Sequence, residues 1–159
     1  LANSRKCNYH YSAVGEVNVV EKMKEVNAVI GGEGNGGVIL PDLHYGRDAL
    51  VGIALLLTFL SQEGVKASAL RKRYPFYFMI KDKVNLSNDV NIDDVFCKLK
   101  KTYNNCTIID IDGLKIEFDN EWLHLRKSNT EPIIRLYGEG EDELKLKKLI
   151  QKTKSIIYE

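Results

Sequence analysis

The segment from Arg126 to Pro132 concentrates the groups that proteins use to bind an oxyanion. Its order is Arg-Lys-Ser-Asn-Thr-Glu-Pro, so the hydroxyls of Ser128 and Thr130 and the amide of Asn129 follow a guanidinium. The planar fork of arginine can hold a phosphate through two hydrogen bonds, and loop N–H groups add further donors. We call this segment the polar loop and predict a phosphate site there. From its residues alone, a polar hairpin turn with a solvated arginine is an equally good interpretation.

Strand alternation gives the polar loop its orientation. In the strand that is predicted before it, Arg126 lies on the face opposite to Leu123 and Leu125. Because successive side chains of a strand point to opposite faces, Arg126 should point away from the core where the strand ends. Arg135 lies in the next predicted strand and is a candidate for a second positive charge at the same site.

A second segment, Gly31 to Gly37, contains five glycines around one carboxylate, Glu33, and one amide, Asn35. Glycines let a ligand approach the backbone closely, and both polar side chains can bond to sugar hydroxyls. The spacing matches neither the dinucleotide-binding glycine motif nor a phosphate-binding loop that ends in lysine and serine. This glycine loop therefore predicts Glu33 and Asn35 as sugar ligands, and a flexible connector is the alternative interpretation.

Composition limits the class of protein. The chain has 159 residues, 44% of them apolar, which is enough for one ordinary domain or two small ones with a real core. With 23 basic and 22 acidic residues, the charge balance gives no reason to expect a polyanion partner. The three cysteines are widely spaced and form no CxxC pair, which favours a reduced, cytoplasmic protein.

The ends and the apolar runs of the sequence carry two further expectations. The chain begins without methionine, so we interpret it as a fragment of a longer protein. The apolar run 49–60 is about half the length that a membrane helix needs, so it is expected to be a core helix and no membrane partner is expected. The histidines His10, His44 and His124 lack metal-ligand spacing, and no metal site is expected in this chain.

The first part of the chain reads as the end of an α/β layer. Helical spacing predicts a helix over 17–25, and apolar triplets at 28–30 and 38–40 predict two buried strands on either side of the glycine loop. A longer helix follows and should end before Gly64, and the preceding stretch 42–48 should cap it. The polar, basic stretch 67–73 is expected to be a linker.

The remaining residues predict an α+β domain. Strands are expected over 74–84, 106–111, 114–118, 122–126 and 132–137, with an Asp112-Gly113 turn between the second and the third. Asn91 should cap one helix, and the acidic start of the segment after 141 should begin a closing helix. The fold class is thus an α/β remnant over 1–66 followed by an α+β domain over 67–159, an antiparallel sheet with helices on one face.

Taken together, the two loops resemble those of the α-D-phosphohexomutases, a family that includes phosphoglucomutase, phosphomannomutase and phosphoglucosamine mutase. The polar loop is similar to the family's C-terminal phosphate-binding loop, and Gly32 to Gly37 is similar to the sugar-binding loop of its third domain. The order of the loops agrees, as do Val14-Gly15 upstream and Asp112-Gly113-Leu114 before the polar loop. The resemblance covers nearly the whole chain.

This resemblance implies residues and roles. The sugar hydroxyls would be bound by Glu33 and Asn35, and the non-reacting phosphate by four residues of the polar loop with Arg135 as a further candidate. Those four residues are Arg126, Ser128, Asn129 and Thr130. The resemblance also implies that 1–66 belongs to domain three and 67–159 to domain four of an enzyme with four domains around one cleft.

In such enzymes a phosphoserine of domain one transfers its phosphoryl group to a hexose phosphate, through a bisphosphorylated intermediate, assisted by Mg²⁺ on an Asp-rich loop of domain two. No stretch of this chain resembles the serine loop or the metal loop, so no catalytic residue is expected here, and Asp110 and Asp112 are interpreted as hairpin residues. The missing N-terminal domains and a hexose phosphate are the expected partners, and the chain alone should be inactive. Many relatives have Ser where Asn35 stands and His where Gly37 stands, which leaves the preferred hexose open.

Three alternatives stay open at this level. The enzyme could convert glucosamine phosphates instead of glucose or mannose phosphates. The phosphate site could also belong to a non-catalytic phosphosugar-binding module. The basic stretch Arg71-Lys72-Arg73 beside aromatic residues could instead belong to an RNA-binding domain, although the neutral chain favours a solvated segment and no nucleic-acid partner.

Overall fold

A computed structural model describes residues 2, 5–86, 90–128 and 131–158 of the chain. This described part divides into two compact units, Leu1–Tyr74 and Pro75–Glu159. Each unit has its own secondary structure and is considered by itself. None of the helices found over the described ranges is long and apolar enough to cross a membrane.

The first unit begins with helix α1, Glu16–Val26, which follows Gly15 and ends at Asn27 in the left-handed conformation. The short strands β1, Gly31–Gly32, and β2, Val38–Ile39, pair in antiparallel fashion around the glycine loop. The buried side chain of Met23 packs directly over Gly31, so that α1 lies against the hairpin. A hairpin is found where strand-loop-strand was predicted, but its first strand is Gly31–Gly32 and not the triplet 28–30. The packed helix holds the base of this hairpin in place.

Helix α2, Ala49–Glu63, is capped at both ends. The Asp48 carboxylate accepts a hydrogen bond from the Val51 N–H, and Gly64 closes the C-terminus with a φ of 63°. The Asp48 N–H in turn donates to the Val38 carbonyl at 2.9 Å, which ties the start of α2 to β2. The predicted caps are confirmed, and they place the first turn of α2 beside the glycine loop.

Two burial expectations for the first unit are wrong. All of α2 is described and none of its residues is buried, with Leu50 77% exposed and Leu57 59% exposed. The triplet 28–30 forms no strand, and Val29 is 82% exposed. The physical reason is that the described part of this unit offers only two-residue strands as a packing surface, too little to cover a helix that is apolar on every side.

The stretch expected to be a linker is partly helical. Residues Ala67–Arg71 form helix α3, in which Leu70 is buried. Arg73 pairs with Glu63 at 2.6 Å, and a guanidinium N–H of Arg71 donates to the Tyr74 carbonyl at 3.2 Å. The Arg73–Glu63 pair ties the end of this segment to the end of α2, and the Arg71 bond is local, so this segment has a structural role.

The described part of the second unit is a five-stranded antiparallel sheet in the order β3-β7-β6-β5-β4. Its strands, in chain order, are β3 (Phe78–Asn85), β4 (Thr107–Ile109), β5 (Leu114–Glu117), β6 (Glu121–Lys127) and β7 (Ile133–Gly140). Helices α4, Ile92–Thr102, and α5, Glu143–Tyr158, contact each other, and α5 packs on β3 and β7. The predicted α+β fold is confirmed, including the cap of α4 by Asn91.

The core of this unit lies between the sheet and the helices. Fully buried side chains alternate along the central strands, as in Leu123 and Leu125 of β6 and Leu136 of β7, and they meet Leu99 and Leu146 from the helices. Each such side chain contributes about 1.5–3 kcal/mol through removal from water. The opposite face of the sheet carries the polar residues, so the alternation decides which side chains can reach a ligand.

Polar contacts as well as apolar packing connect α5 to the rest of the unit. The Tyr103 hydroxyl and the Thr153 hydroxyl lie 2.9 Å apart in the core, and Thr153 also donates to the Leu149 carbonyl. Lys154 pairs with Asp82 of β3 at 2.9 Å. The hydrogen bond from Lys154 lowers the pKa of Asp82 below its ordinary value of 3.8.

The first prediction tests the core with two leucines of one helix. Leu146 is fully buried, whereas Leu144 is 70% exposed. We expect Leu146→Ala to lower the free energy of unfolding by about 2–5 kcal/mol because it leaves a cavity, and Leu144→Ala to change it by less than about 0.5 kcal/mol. Urea unfolding followed by the fluorescence of Trp122, the one tryptophan of the chain, measures both. Equal losses in the two variants would contradict the placement of α5.

The second prediction concerns acid stability. Because the pKa of Asp82 is lower in the folded state, its ion pair stabilises the fold above about pH 4 and is lost as the pH falls below that value. Asp82→Asn should therefore cost about 0.5–1 kcal/mol at pH 7, and the difference from the parent should shrink toward pH 3. Urea midpoints at the two pH values measure this. The same pattern is expected for Lys154→Met, and a constant difference across pH would refute the ion pair.

Candidate functional site

The polar loop begins where β6 ends and closes within a few residues. The Ser128 N–H donates to the Ile133 carbonyl at 3.0 Å, and the Ile133 N–H donates to the Glu131 carbonyl at 2.8 Å. Ser128 itself is only 6% exposed. The predicted ligands Asn129 and Thr130 lie outside the described residues.

The register of the sheet brings positive charges together beside this loop. Arg126 of β6 lies directly opposite Arg135 of β7, and Arg135 lies opposite Lys83 of β3 on its other side. Paired residues of neighbouring strands point to the same face, with Cβ atoms about 4.5–5.5 Å apart, and like charges in such positions repel. A bound anion would relieve this repulsion, so the cation row (Lys83, Arg135 and Arg126) is suited to a phosphate.

A carboxylate already faces this row. The Arg126 guanidinium donates to Asp112 at 3.2 Å, and a ring nitrogen of His124 lies 2.6 Å from the Asp112 carbonyl oxygen. The turn that carries Asp112 depends on Gly113, which has a φ of 72° and lies so close to β6 that a Cβ would collide with the Leu125 carbonyl. Asp112 therefore holds the Arg126 side chain near the end of β6. An incoming phosphate would compete with Asp112 for the same guanidinium.

Sequence reasoning did not assign Asp112 and Lys83 to this site. Asp112 was expected to be a hairpin residue, and it is in the turn, but its side chain also pairs with Arg126. Lys83 is distant in sequence and joins the row only through the register of β3 against β7. The Asp112-Gly113 pair was the available signal for the first residue, whereas nothing local marks the second.

The glycine loop is a tight hairpin in which the backbone closes on itself. The Glu33 N–H donates to the Gly37 carbonyl and the Gly36 N–H donates to the Glu33 carbonyl, both at 3.0 Å. The Asn35 side-chain oxygen accepts from the Gly37 N–H at 3.0 Å, and Gly36 has a φ of 99°. Since this bond uses the oxygen of the Asn35 amide, its NH₂ group is the part suited to an external acceptor.

An arginine, Arg47, connects the glycine loop to helix α1. A guanidinium nitrogen of Arg47 lies 3.1 Å from the Glu33 carboxylate, and its Nε donates to Glu16 at 2.8 Å. The Arg47 backbone N–H also donates to Glu16 at 3.0 Å. These two hydrogen bonds, the backbone one first, lower the pKa of Glu16, and the side-chain bond to Glu16 raises the pKa of Arg47. Glu16 and Arg47 therefore stay ionised at neutral pH.

Glu16 and Arg47 border an open cleft of about 420 Å³ in the first unit. Its walls come from the start of α1, the glycine loop and the start of α2, namely Glu16, Asn35, Gly36, Gly37, Val38, Arg47, Asp48 and Ala49. Carboxylate, amide and guanidinium groups around one cleft suit a polyhydroxylated ligand. Sequence reasoning identified Glu33 and Asn35 and left Glu16 unassigned, because Glu16 reaches the loop only through Arg47.

Metal ligation has no candidate cluster here. Over residues 2, 5–86, 90–128 and 131–158, no three side chains of His, Cys, Asp or Glu lie together in a metal-binding arrangement. Asp110, which was weighed with Asp112 as a metal ligand, pairs instead with Lys100 at 2.9 Å. The cysteines Cys7, Cys97 and Cys106 are free thiols.

Comparison with known proteins gives a consistent result over both units. Residues 1–77 match the family model described as phosphoglucomutase/phosphomannomutase, alpha/beta/alpha domain III. Residues 80–155 match the model described as phosphoglucomutase/phosphomannomutase, C-terminal domain. The first match is thus to domain III and the second to the C-terminal domain of the same family.

Individual relatives agree with these models. The chain is 36% identical to a phosphoglucosamine/phosphogalactosamine mutase of Sulfurisphaera tokodaii, covering 92% of this chain and 33% of the relative. It is also 36% identical to a phosphoglucomutase/phosphomannomutase of Thermococcus kodakarensis, covering 87% and 30%. A solved family protein from Burkholderia thailandensis superposes with a TM-score of 0.71 at 26% identity, covering 91% and 31%. The chain thus spans about a third of the length of the relatives that it matches.

The third prediction tests the competition at Arg126. Asp112→Asn removes a negative charge that faces the same guanidinium as an incoming anion, so inorganic phosphate should bind about threefold to tenfold more tightly. Titration of the isotope-labelled chain with phosphate, followed by the amide signals of 126–128, measures the dissociation constant. Arg126→Gln in the same titration should abolish the response. Weaker binding to Asp112→Asn would show that the carboxylate mainly orients the guanidinium.

Proposed function

Since the chain belongs to the phosphoglucomutase/phosphomannomutase family, we propose that it supplies the sugar-binding and phosphate-binding parts of a phosphohexomutase. The complete enzyme would interconvert hexose 1-phosphates and hexose 6-phosphates through a bisphosphorylated intermediate. In this proposal the chain is the C-terminal fragment of that enzyme, with domain three over 1–66 and domain four over 67–159. The observation that carries the proposal is the cation row beside the polar loop, in a chain that matches the family throughout.

The second unit would bind the phosphate that does not react. Arg126 and Arg135 lie opposite each other on the exposed face of the sheet, and the Ser128 N–H is fixed by its bond to Ile133. Two guanidinium groups held on rigid strands can bind a dianion with little loss of side-chain freedom. Because the intermediate must turn over between the two half-reactions, contacts made to the phosphate, which both orientations share, allow one site to serve both. Asn129 and Thr130 are proposed as further donors.

The first unit would bind the sugar. Asn35 lines the cleft, and the Glu33 carboxylate pairs with Arg47, which lines it too. Residues 1–77, which include the glycine loop, match the domain III family model. A carboxylate accepts hydrogen bonds from hydroxyls, and the Asn35 amide can donate. Glucose or mannose phosphate is the primary candidate. An amino-sugar phosphate is a second candidate, supported by the name of the Sulfurisphaera relative.

The chemistry itself would lie outside this chain. A serine phosphate and a Mg²⁺ ion that neutralises phosphate charge would be supplied by the remaining domains of a cytoplasmic enzyme. The exposed apolar face of α2 supports such partners, because a helix with Leu50 and Leu57 in water needs further polypeptide to cover it. We therefore propose that the isolated chain binds its ligand weakly and has no mutase activity.

The fourth prediction separates the two binding roles in the full-length enzyme. Turnover of glucose, mannose and glucosamine 1-phosphates is compared in the parent, in Glu33→Ala and in Arg126→Lys. Arg126→Lys should raise KM about tenfold for all three substrates, because it removes a bidentate contact to their common phosphate. Glu33→Ala should change the three values unequally, because their hydroxyl and amino groups differ. Equal effects of Glu33→Ala on all three sugars would refute its role as a sugar ligand. No turnover by the parent enzyme would refute the proposed function.

A further inference from the structure

The contacts of Arg47 assign it a role that goes beyond capping or general charge. Its backbone N–H and its Nε are both held by Glu16, at 3.0 and 2.8 Å, so the side chain is anchored at each end before it reaches Glu33. The remaining arm of the fork then lies 3.1 Å from the Glu33 carboxylate. We propose that Arg47 is a positioning residue that fixes Glu33 for sugar binding, and that Gly37 is required because it leaves room for the Arg47 stem. This inference rests on the proposed function.

Burial shows why the Glu33 carboxylate needs a fixed partner. Its side chain is only 13% exposed, whereas that of Arg47 is 46% exposed. A carboxylate largely removed from water is costly unless a cation or hydrogen-bond donors compensate it. Arg47 supplies one bond, and a carboxylate has about four acceptor positions, so capacity for a sugar hydroxyl remains. The ion pair therefore sets the direction of Glu33 without saturating it.

Space explains the glycine at position 37. A Cβ there would lie 2.6 Å from Cδ and 3.2 Å from Cγ of Arg47. Those atoms lie in the middle of a side chain that Glu16 holds at both ends, so they cannot move aside without breaking an ion pair. A Cβ at Gly34, in the same loop, would meet nothing within 4 Å. The two glycines thus form a matched pair, one with a steric reason and one without.

The structural part of the test uses nuclear magnetic resonance on the chain itself. The Arg47 Nε–H should give a resolved signal because it is held by Glu16. Gly37→Ala should shift or broaden this signal, whereas Gly34→Ala should leave it in place. Loss of the signal in both variants, or in neither, overturns the role of Gly37.

The functional part uses a double-mutant cycle in the full-length enzyme. If Arg47 acts through Glu33, Arg47→Gln and Glu33→Gln should each raise KM for the hexose 1-phosphate about tenfold with kcat nearly unchanged. The double variant should then be no worse than either single one. Arg47→Lys should restore part of the loss, because it keeps the charge. Arg73→Gln is the control. It removes an exposed ion pair with Glu63 in the same unit, and KM is expected to stay unchanged.

The outcomes separate this inference from the proposed function. Multiplied losses in the double variant, with normal turnover by the parent, overturn the role of Arg47 and leave the phosphohexomutase proposal standing. No turnover of any hexose phosphate by the parent enzyme overturns the proposed function and this inference with it. If Gly37→Ala does not fold, the cycle of Arg47 and Glu33 decides alone. The inference about Arg47 is supported if the losses in the cycle are non-additive and confined to KM, and if the Arg47 signal responds to Gly37→Ala but not to Gly34→Ala.

Discussion

The antiparallel register between β6 and β7 is the constraint on which the second unit depends. It places Leu125 opposite Leu136 on the buried face and Arg126 opposite Arg135 on the exposed face. A slip of one residue would exchange the two faces of the strand that slips and drive its guanidinium group into the core, at a cost far greater than the pairing energy of the strands. The same hydrophobic contacts that hold α5 on the sheet therefore also hold the two arginines together against their mutual repulsion. The register therefore determines both the packing of the core and the placement of the two arginines that could bind an anion.

In the first unit, an ion pair instead of a sheet holds the polar group in position. A glycine loop has little rigidity of its own, since glycine loses the most conformational freedom on folding. Short backbone bonds close the hairpin, and the contacts from Glu16 through Arg47 fix the one carboxylate in it. Both units thus hold polar groups on an element that is anchored elsewhere. In our proposal, the ligand meets groups whose positions are set before it arrives.

Much of the fold follows from local patterns in the sequence. Alternation predicted the strands of the second unit, and side-chain chemistry predicted the caps at Asp48, Gly64 and Asn91, because such signals need only a few neighbouring residues. The exposure of α2 was not predictable, because an apolar run shows a need for cover but not which polypeptide supplies it. Lys83 and Glu16 were missed for a related reason. Each reaches its site through strand register or through an intermediate side chain, and neither can be read from residues nearby in sequence.

The central claim is that the exposed arginines beside the polar loop bind the phosphate of a sugar phosphate. A crystal structure of the chain soaked with glucose 1-phosphate tests this most directly. The account predicts the phosphate within hydrogen-bond distance of the Arg126 guanidinium and the Ser128 hydroxyl, with the contact from Arg126 to Asp112 lengthened beyond its 3.2 Å. A phosphate bound elsewhere, with Arg126 still paired to Asp112 at that distance, would contradict it.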